Sequence, residues 1–316
     1  EGARRCVNGS LAIRKDINRI VDEICAQGYR NICWLGIGGT WASGMQAAVH
    51  MKEQSEIETW AENASEYNTT GNKRVGEGTV VITSSVTGST VEVVEAVKRM
   101  QAAGAKVIGF IDIDTTELAK LVDYEIVYPV NEQLKFFMVA DRFMQNNGEF
   151  SDCDAMYAEF EAHLAQALID VEKKADAFGQ EFAKKHWNDP IHYFVGAGNQ
   201  WGATYSYAMC YWEEQLWIKT KSNTSGEFFH GMFEIITKET PVTVFIGEDA
   251  QRPLSERVAK FLPRICENYT IIDTKDYELM GISEGYRKHI SHLVMHAVNN
   301  RIDAYMERET RHPMDI

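Results

Sequence analysis

Two stretches of the sequence share one order of elements: WLGIGGTWASGMQAAVHM at Trp34–Met51 and FVGAGNQWGATYSYAMCY at Phe194–Tyr211. Each stretch has the pattern of a buried strand, a turn that contains glycine, and a helix. A strand followed by a helix is the unit from which parallel sheets are built. The two stretches therefore predict two copies of one α/β unit, although few of their residues are identical.

The segments around these stretches continue the alternation of strands and helices. Further short apolar runs predict strands at Thr79–Ser84, Lys106–Phe110, Tyr124–Tyr128, Pro241–Ile246 and Tyr269–Ile272. We expect a first domain at 1–150, a helical connector at 151–186, and a second domain with a C-terminal helix at 187–316. Each domain should be a three-layer αβα sandwich around a parallel sheet, and a long helix should join the two.

Composition and charge narrow the possible partners and compartments. The formal net charge is −14, which disfavours nucleic acid and anionic membranes as partners. The apolar runs are all too short to span a membrane. The six cysteines and nine histidines show no metal-like spacing, so we expect a cytoplasmic protein without a metal site or cofactor.

Two loops are candidates for binding a phosphate group. One runs from Gly36 to Thr40 and the other from Ser84 to Thr90, and each leads from a strand into a helix. Helix N-termini attract anions, and the hydroxyls of Ser85, Thr87 and Thr90 would add neutral donors. Ser, Thr and Gly also serve as ordinary caps and turns, so either loop by itself also fits a structural role.

A dinucleotide site is a weaker alternative. Gly196, Gly198 and Gly202 form GxGxxxG, which is one residue longer than the usual fingerprint. Neither half has an acidic residue at the end of a second strand, where it would bind a ribose hydroxyl. The sequence therefore favours a sugar phosphate over NAD.

Glu214 and His230 are candidate acid–base groups. Helical spacing places Glu214 on one face with Tyr207, Cys210 and Trp217, which predicts a carboxyl in apolar surroundings that is suited to proton transfer. The alternative is a boundary residue that extends to solvent. His230 lies between a phenylalanine and a glycine. A single histidine is more often structural, and the alternative is a side chain that titrates near neutral pH and transfers protons.

These motifs together resemble the SIS (sugar isomerase) family. The resemblance is carried by GGT before a helix, SSVTGST after a strand, Glu214, and SGEFFHGMFEI at Ser225–Ile236. Within that family, the sequence is most similar to fructosamine-6-phosphate deglycases. The resemblance implies two tandem SIS-type domains and assembly as a homodimer or larger oligomer with shared active sites.

The resemblance also assigns roles to individual residues. It implies that the substrate phosphate is bound by Thr40, Ser85, Val86 (through its backbone N–H), Thr87 and Thr90. Glu214 matches the family's proton-transferring glutamate, and His230 matches a histidine linked to ring opening that related enzymes supply across the dimer. Residues expected to contact the substrate or support those that do are Gly39, Ser65, Glu66 and Glu227.

The implied activity is cleavage of a ketoamine 6-phosphate into an aldose 6-phosphate and a free amino acid. The expected partner is thus a small phosphorylated sugar–amino acid conjugate. Two alternatives remain open at this point. One is an aldose–ketose phosphosugar isomerase or an aminosugar-phosphate deaminase, and the other is a non-catalytic sugar-phosphate sensor.

Overall fold

The computed structural model describes residues 2–314, which divide into two compact units. Unit 1 is Glu1–Glu161 and unit 2 is Ala162–Ile316. The helical stretch 151–186 lies on both sides of this boundary, and its longest helix, Ala165–His186, packs on the C-terminal helix of unit 2. The boundary between the two units therefore falls inside this stretch.

Unit 1 contains a five-stranded parallel sheet in the order β2-β1-β3-β4-β5. The strands are β1 Asn31–Gly36, β2 Thr59–Asn63, β3 Thr79–Ser85, β4 Lys106–Ile111 and β5 Tyr124–Ile126. The helices are α1 Gly2–Ala12, α2 Arg14–Gln27, α3 Gly39–Gln54, α4 Ala64–Thr70, α5 Val91–Ala102, α6 Glu117–Leu121, α7 Glu132–Asn146 and α8 Cys153–Glu159.

Unit 2 contains a four-stranded parallel sheet in the order β7-β6-β8-β9. The strands are β6 His192–Gly196, β7 Thr220–Thr224, β8 Val242–Ile246 and β9 Tyr269–Asp273. The α-helices are α9 Ala165–His186, α10 Asn199–Ser206, α11 Arg252–Phe261 and α12 Ser291–Thr310. A π-helix, Tyr207–Glu213, continues α10, and short 3-10 helices include Phe228–His230 and Glu284–His289.

The predicted parallel α/β architecture of both halves is confirmed, but one strand in each half was not predicted. These strands are β2 (TWAEN) and β7 (TKSNT), which lie at the edges of their sheets. They are mostly polar, and none of their residues is fully buried. The alternation of apolar and polar residues that marks a strand is therefore weak in both.

The sheet of unit 1 is buried on both faces, which explains its continuous apolar strands. Cys33 and Val81 pack with α5 on one face. On the other face, Trp34 contacts Phe136 of α7, with ring centroids 5.3 Å apart. Each large apolar side chain buried in this way stabilises the fold by about 1.5–3 kcal/mol. No helix within residues 2–314 is long and apolar enough to cross a membrane.

The two sheets have the same internal arrangement. In unit 1, β1 lies between β2 and β3, and Trp34 pairs with Ile82. In unit 2, β6 lies between β7 and β8, and Phe194 pairs with Thr243. The strands β1 to β4 therefore correspond in order to β6 to β9. The carboxyl ends of parallel strands, where α/β proteins bind ligands, are found at one edge of each sheet.

Candidate active site

A small cavity lies at the carboxyl edge of the sheet in unit 1, between the loops that follow β1 and β3. Its volume is about 160 Å³, and its lining side chains are all neutral: Ile37, Thr40, Ser84, Ser85, Val86, Thr87, Thr90 and Val93. The structure thus brings together the five residues that were expected at the phosphate. A water occupies roughly 30 Å³ in the liquid, so the cavity is large enough for a phosphate group.

Two helices begin beside this cavity. Gly38 precedes α3 with φ 60° and ψ −128°, and Thr90 precedes α5 in an extended conformation. Gly38 has no side chain, and within residues 2–314 the side chain of Thr90 makes no capping hydrogen bond to α5. An anion in the cavity would therefore lie at the positive ends of both helix dipoles.

The hydroxyls around the cavity differ in how their protons are used. The Ser85 Oγ accepts a hydrogen bond from the Gly88 N–H at 2.9 Å, so its own proton can still be donated to a ligand. The Thr40 Oγ1 instead donates to the Glu132 Oε2 at 2.9 Å. A hydroxyl has one proton, so Thr40 must leave Glu132 before it can donate to a phosphate.

In unit 2, the segment SGEFFHG is anchored at two points and exposes its polar side chains. The buried Ser225 Oγ lies 2.7 Å from the Ser255 Oγ, and Phe228 is fully buried. Glu227 and His230 are exposed on either side of Phe228. The segment is thus anchored on both sides of Glu227, and both Glu227 and His230 are accessible.

The expected burial of Glu214 in an apolar stripe is wrong. Tyr207 and Trp212 are buried, whereas Glu214 is exposed and Trp217 is 75% exposed. The cause is the π-helix Tyr207–Glu213, in which the Glu214 N–H bonds to the Met209 carbonyl five residues earlier. A wider turn changes which residues share a face, so spacing for an α-helix misplaces Glu214.

Comparison with known proteins agrees with this geometry. The SIS domain matches residues 28–141, which include both loops of the cavity. This part of the chain is therefore similar to an SIS domain. This finding confirms the resemblance that the sequence motifs indicated.

Relatives with known names match most of the chain. The fructosamine deglycase FrlB of Bacillus subtilis (strain 168) is 24% identical over 314 residues, covering 96% of this chain and 94% of the relative. The fructoselysine 6-phosphate deglycase of Escherichia coli (strain K12) is 24% identical over 266 residues, covering 81% of this chain and 77% of the relative. Each name describes the relative itself, and this chain is similar to both.

Solved structures share the fold across the whole chain. A Bacillus subtilis protein described as a phosphosugar isomerase superposes with a TM-score of 0.91 at 22% identity, covering 98% of this chain and 96% of that chain. The C-terminal domain of glucosamine-fructose-6-phosphate aminotransferase from Francisella tularensis gives a TM-score of 0.82 at 12% identity, covering 99% and 95%. At these identities the likeness shows the fold.

The other expected contact residues of unit 1 do not line the cavity. Gly39 is the first residue of α3, next to Thr40. Ser65 and Glu66 lie in the first turn of α4, and their N–H groups donate to the Asn63 Oδ1 at 3.0 and 3.2 Å. Strand β2 leads into α4 and lies on the side of β1 away from β3. Ser65 and Glu66 therefore share the carboxyl edge with the cavity, at a different position along it.

Glu132 is a residue that the sequence did not reveal. It begins α7 after two residues in the left-handed region, Val130 with φ 67° and Asn131 with φ 54°. Its contact with Thr40 spans 92 residues of sequence, which no local pattern can indicate. Burial lowers the pKa of the nearby Lys135, and the negative charges of Asp112 and Glu132 oppose this shift. A carboxylate thus lies beside the cavity of the SIS domain.

Glu214 and His230 belong to opposite edges of the sheet in unit 2. The helix that starts at Asn199 follows the carboxyl end of β6 and returns to the amino edge of the sheet. Strand β7, which is parallel to β6, begins at that amino edge. The residue before Glu214, Glu213, accepts a hydrogen bond from the Thr220 Oγ1 at the first residue of β7. His230 follows the carboxyl end of β7. Within one copy of unit 2, the two residues therefore do not share an edge.

One further group of titratable residues lies in the core of unit 2. The Nδ1 atoms of His186 and His192 lie 2.7 and 2.8 Å from the Asp189 Oδ2. The His192 Nε2 lies 2.8 Å from the Thr243 Oγ1, and burial lowers the pKa of His192 to about 4. These spacings are hydrogen-bond distances, whereas ligands of one tetrahedral zinc lie roughly 3.3 Å apart. The group is therefore explained as a buried hydrogen-bond network.

Proposed function

We propose that this protein is a deglycase that cleaves a fructosamine 6-phosphate into an aldose 6-phosphate and a free amino acid. The observation that carries the proposal is the neutral, hydroxyl-lined cavity above two helix N-termini, which suits a phosphate monoester. The names of the relatives add the substrate class, since both are deglycases.

The phosphate would position the sugar for the reaction. Its oxygens would accept hydrogen bonds from the hydroxyls of Ser85, Thr87 and Thr90 and from the Val86 N–H, while the two helix dipoles balance part of its charge. Thr40 would join after releasing Glu132. A substrate held in this way reacts as if intramolecular, which supplies much of the rate enhancement.

The chemical steps are proton transfers followed by hydrolysis. His230 would assist opening of the sugar ring. Glu214 would move a proton from C1 to C2 of the ketoamine, and the C2 oxygen gains the proton that the nitrogen loses. This reverses the Amadori shift and leaves a C1 imine with a hydroxyl at C2. Water then adds to C1, and the C–N bond breaks to release the aldose 6-phosphate and the amine. General acid–base catalysis of this kind contributes typically about 10²–10⁴-fold.

The positions of the two residues in unit 2 support a shared active site. Glu214 and His230 lie at opposite edges of the sheet in unit 2. One active site can therefore use both residues if each comes from a different copy of the chain. We therefore propose a homodimer in which the histidine is supplied in trans, as the resemblance implies.

The test is a panel of amino acids conjugated to a sugar 6-phosphate, with release of glucose 6-phosphate as the readout. We expect release from at least one conjugate, and at least a hundredfold lower kcat/KM for the same conjugate without its phosphate. If no conjugate is cleaved while simple sugar phosphates are interconverted or an aminosugar phosphate loses ammonia, the deglycase proposal fails in favour of an isomerase or deaminase.

A further inference from the structure

The repeat gives unit 2 a counterpart of the phosphate cavity. Gly38 and Gly198 precede α3 and α10 with nearly the same backbone angles, φ 60° and ψ −128° against φ 61° and ψ −134°. Ile82 and Thr243 occupy equivalent pairing positions, and the next helices begin nine residues later in both units, at 91 and 252. The loop at 84–90 therefore corresponds to 245–251.

The chemistry of the two loops is opposite. Counting from the shared positions, Thr87, Gly88 and Thr90 of unit 1 correspond to Glu248, Asp249 and Gln251 of unit 2. The hydroxyls of unit 1 can donate hydrogen bonds to an anion. The carboxylates of unit 2 can only accept them, and the carbonyl oxygen of a glutamine also accepts.

Asp249 and Gln251 bind the N-terminus of α10 directly. The Asp249 Oδ2 accepts a hydrogen bond from the Asn199 N–H at 2.6 Å, and the Gln251 Oε1 accepts one from the Gly198 N–H at 3.1 Å. The Asp249 Oδ1 also accepts from the Gln251 N–H at 3.0 Å. The N–H groups that an anion would use in unit 2 are thus already bound by the chain itself.

The space above the helix differs between the units in the same way. A methyl group at Gly198 would lie 2.1 Å from the Asp249 Oδ2. The same methyl group at Gly38 would have no atom of residues 2–314 within 4 Å, apart from its chain neighbours. The volume that is open in unit 1 is therefore filled by a carboxylate in unit 2.

A second carboxylate of the loop, that of Glu248, is already paired within unit 2. Glu248 accepts hydrogen bonds from the Arg287 Nε at 2.8 Å and from its Nη2 at 3.1 Å. The Thr274 Oγ1 donates to the Glu248 Oε2 at 2.8 Å. Arg287 therefore balances the charge of Glu248, and the Asp249 carboxylate is the group that occupies the start of α10.

We infer that the Asp249 carboxylate is a built-in occupant of the anion position in unit 2, and that each chain therefore holds one phosphate ester, in unit 1. The comparison rests on the phosphate site proposed for unit 1. The exclusion of phosphate from unit 2 rests on the contacts of Asp249 alone. Without the Asp249 carboxylate this position would bind a phosphate group, because its backbone geometry is that of the cavity in unit 1.

The test measures the stoichiometry of inorganic phosphate and glucose 6-phosphate binding by titration calorimetry. We expect one phosphate per chain in the wild type and none in Ser85→Ala/Thr87→Val. Adding Asp249→Ala to that double variant should restore one phosphate per chain. Asp249→Asn is the matched control, because it retains the volume and an acceptor oxygen and should restore none.

Two results would overturn the inference. The first is a wild type that binds two phosphates per chain while Asp249 is intact. The second is an Asp249→Ala triple variant that has the wild-type circular dichroism spectrum and binds no phosphate. A wild type that binds no phosphate would instead overturn the proposed function, and a site gained through Asp249→Ala would still support the role of Asp249.

Discussion

Glu66 and Glu227 occupy the same position in the two units. Each lies three residues after the end of an edge strand, and each N–H donates over 3.2 Å to a side-chain oxygen at that end, the Asn63 Oδ1 or the Thr224 Oγ1. Both carboxylates are exposed. The internal repeat therefore extends beyond the first strand and helix to the loops that follow the edge strands.

The phosphate cavity gives a direct prediction for substrate binding. Replacing Ser85 by Ala or Thr87 by Val should weaken binding of glucose 6-phosphate by about 10- to 100-fold, because a hydrogen bond to a charged group contributes about 1.5–3 kcal/mol. Titration calorimetry measures the effect. Ser89→Ala is the control, since Ser89 is an exposed hydroxyl of the same loop and does not line the cavity. Equal losses in all three variants would contradict the assignment.

Glu132 should oppose phosphate binding. Its carboxylate accepts the hydrogen bond that the Thr40 hydroxyl donates, and it places a negative charge beside the cavity. Glu132→Ala should therefore tighten glucose 6-phosphate binding by about fivefold, which corresponds to a Coulomb contribution of about 1 kcal/mol. Glu95→Ala is a suitable control, because Glu95 is an exposed carboxylate on α5. Weaker binding in Glu132→Ala would instead show that Glu132 positions Thr40 productively.

The matched glycines Gly38 and Gly198 should respond differently to the same substitution. Alanine at either position must adopt a positive φ, at a cost of about 1–3 kcal/mol. The free energy of unfolding should fall by about 1–3 kcal/mol more in Gly198→Ala than in Gly38→Ala, because the methyl group at 198 collides with Asp249. Urea denaturation measures both losses. Adding Asp249→Ala should remove most of the excess in Gly198→Ala, and an unchanged excess would contradict the collision.

The sequence predicted those parts of the fold that depend on local pattern. The buried strands β1, β3 and β4 are continuous apolar runs, so their positions followed from composition alone. The edge strands β2 and β7 were missed because they are mostly polar and none of their residues is fully buried.

The candidate site, like the fold, could be predicted only where it depends on local sequence pattern. The residues of the cavity lie in two short loops whose Ser, Thr and Gly content is visible in the sequence. Glu132 and Asp249 act through contacts that span 92 and 50 residues, which only the folded chain shows. The exposure of Glu214 depends on a π-helix, and α-helical spacing could not predict it.

Asp303 should make stability depend on pH in an unusual direction. Burial raises its pKa from 3.8 to about 7, and the Tyr207 hydroxyl donates to its Oδ1 at 2.6 Å. Between pH 4 and 7 the folded protein binds this proton and the unfolded chain does not, so the contribution of Asp303 to the unfolding free energy falls as pH rises. The full shift corresponds to about 4 kcal/mol, and about 1–2 kcal/mol is expected because Asp303 is partly exposed.

Asp303→Asn isolates that contribution. Urea denaturation at pH 4.5 and pH 8 gives the free energy of unfolding at each pH. The decrease in this free energy from pH 4.5 to pH 8 should be smaller in Asp303→Asn than in the wild type, by about 1–2 kcal/mol. Asp170→Asn is the control, since Asp170 is exposed on the surface of α9 and should leave the difference unchanged. The same pH dependence in Asp303→Asn and the wild type would show that Asp303 titrates normally.

The shared active site can be tested by mixing two inactive variants. Glu214→Gln and His230→Ala should each reduce kcat by at least a hundredfold, because each removes a proton-transfer group. Since the two residues belong to opposite edges of the sheet in unit 2, a dimer of one variant with the other should contain one site with both groups intact. Two affinity tags allow this mixed dimer to be purified, and it should recover about half of the wild-type activity. Glu213→Gln, at the neighbouring exposed carboxylate, should keep full activity in its own dimer. A purified mixed dimer as inactive as its parents would mean that each site takes Glu214 and His230 from a single chain.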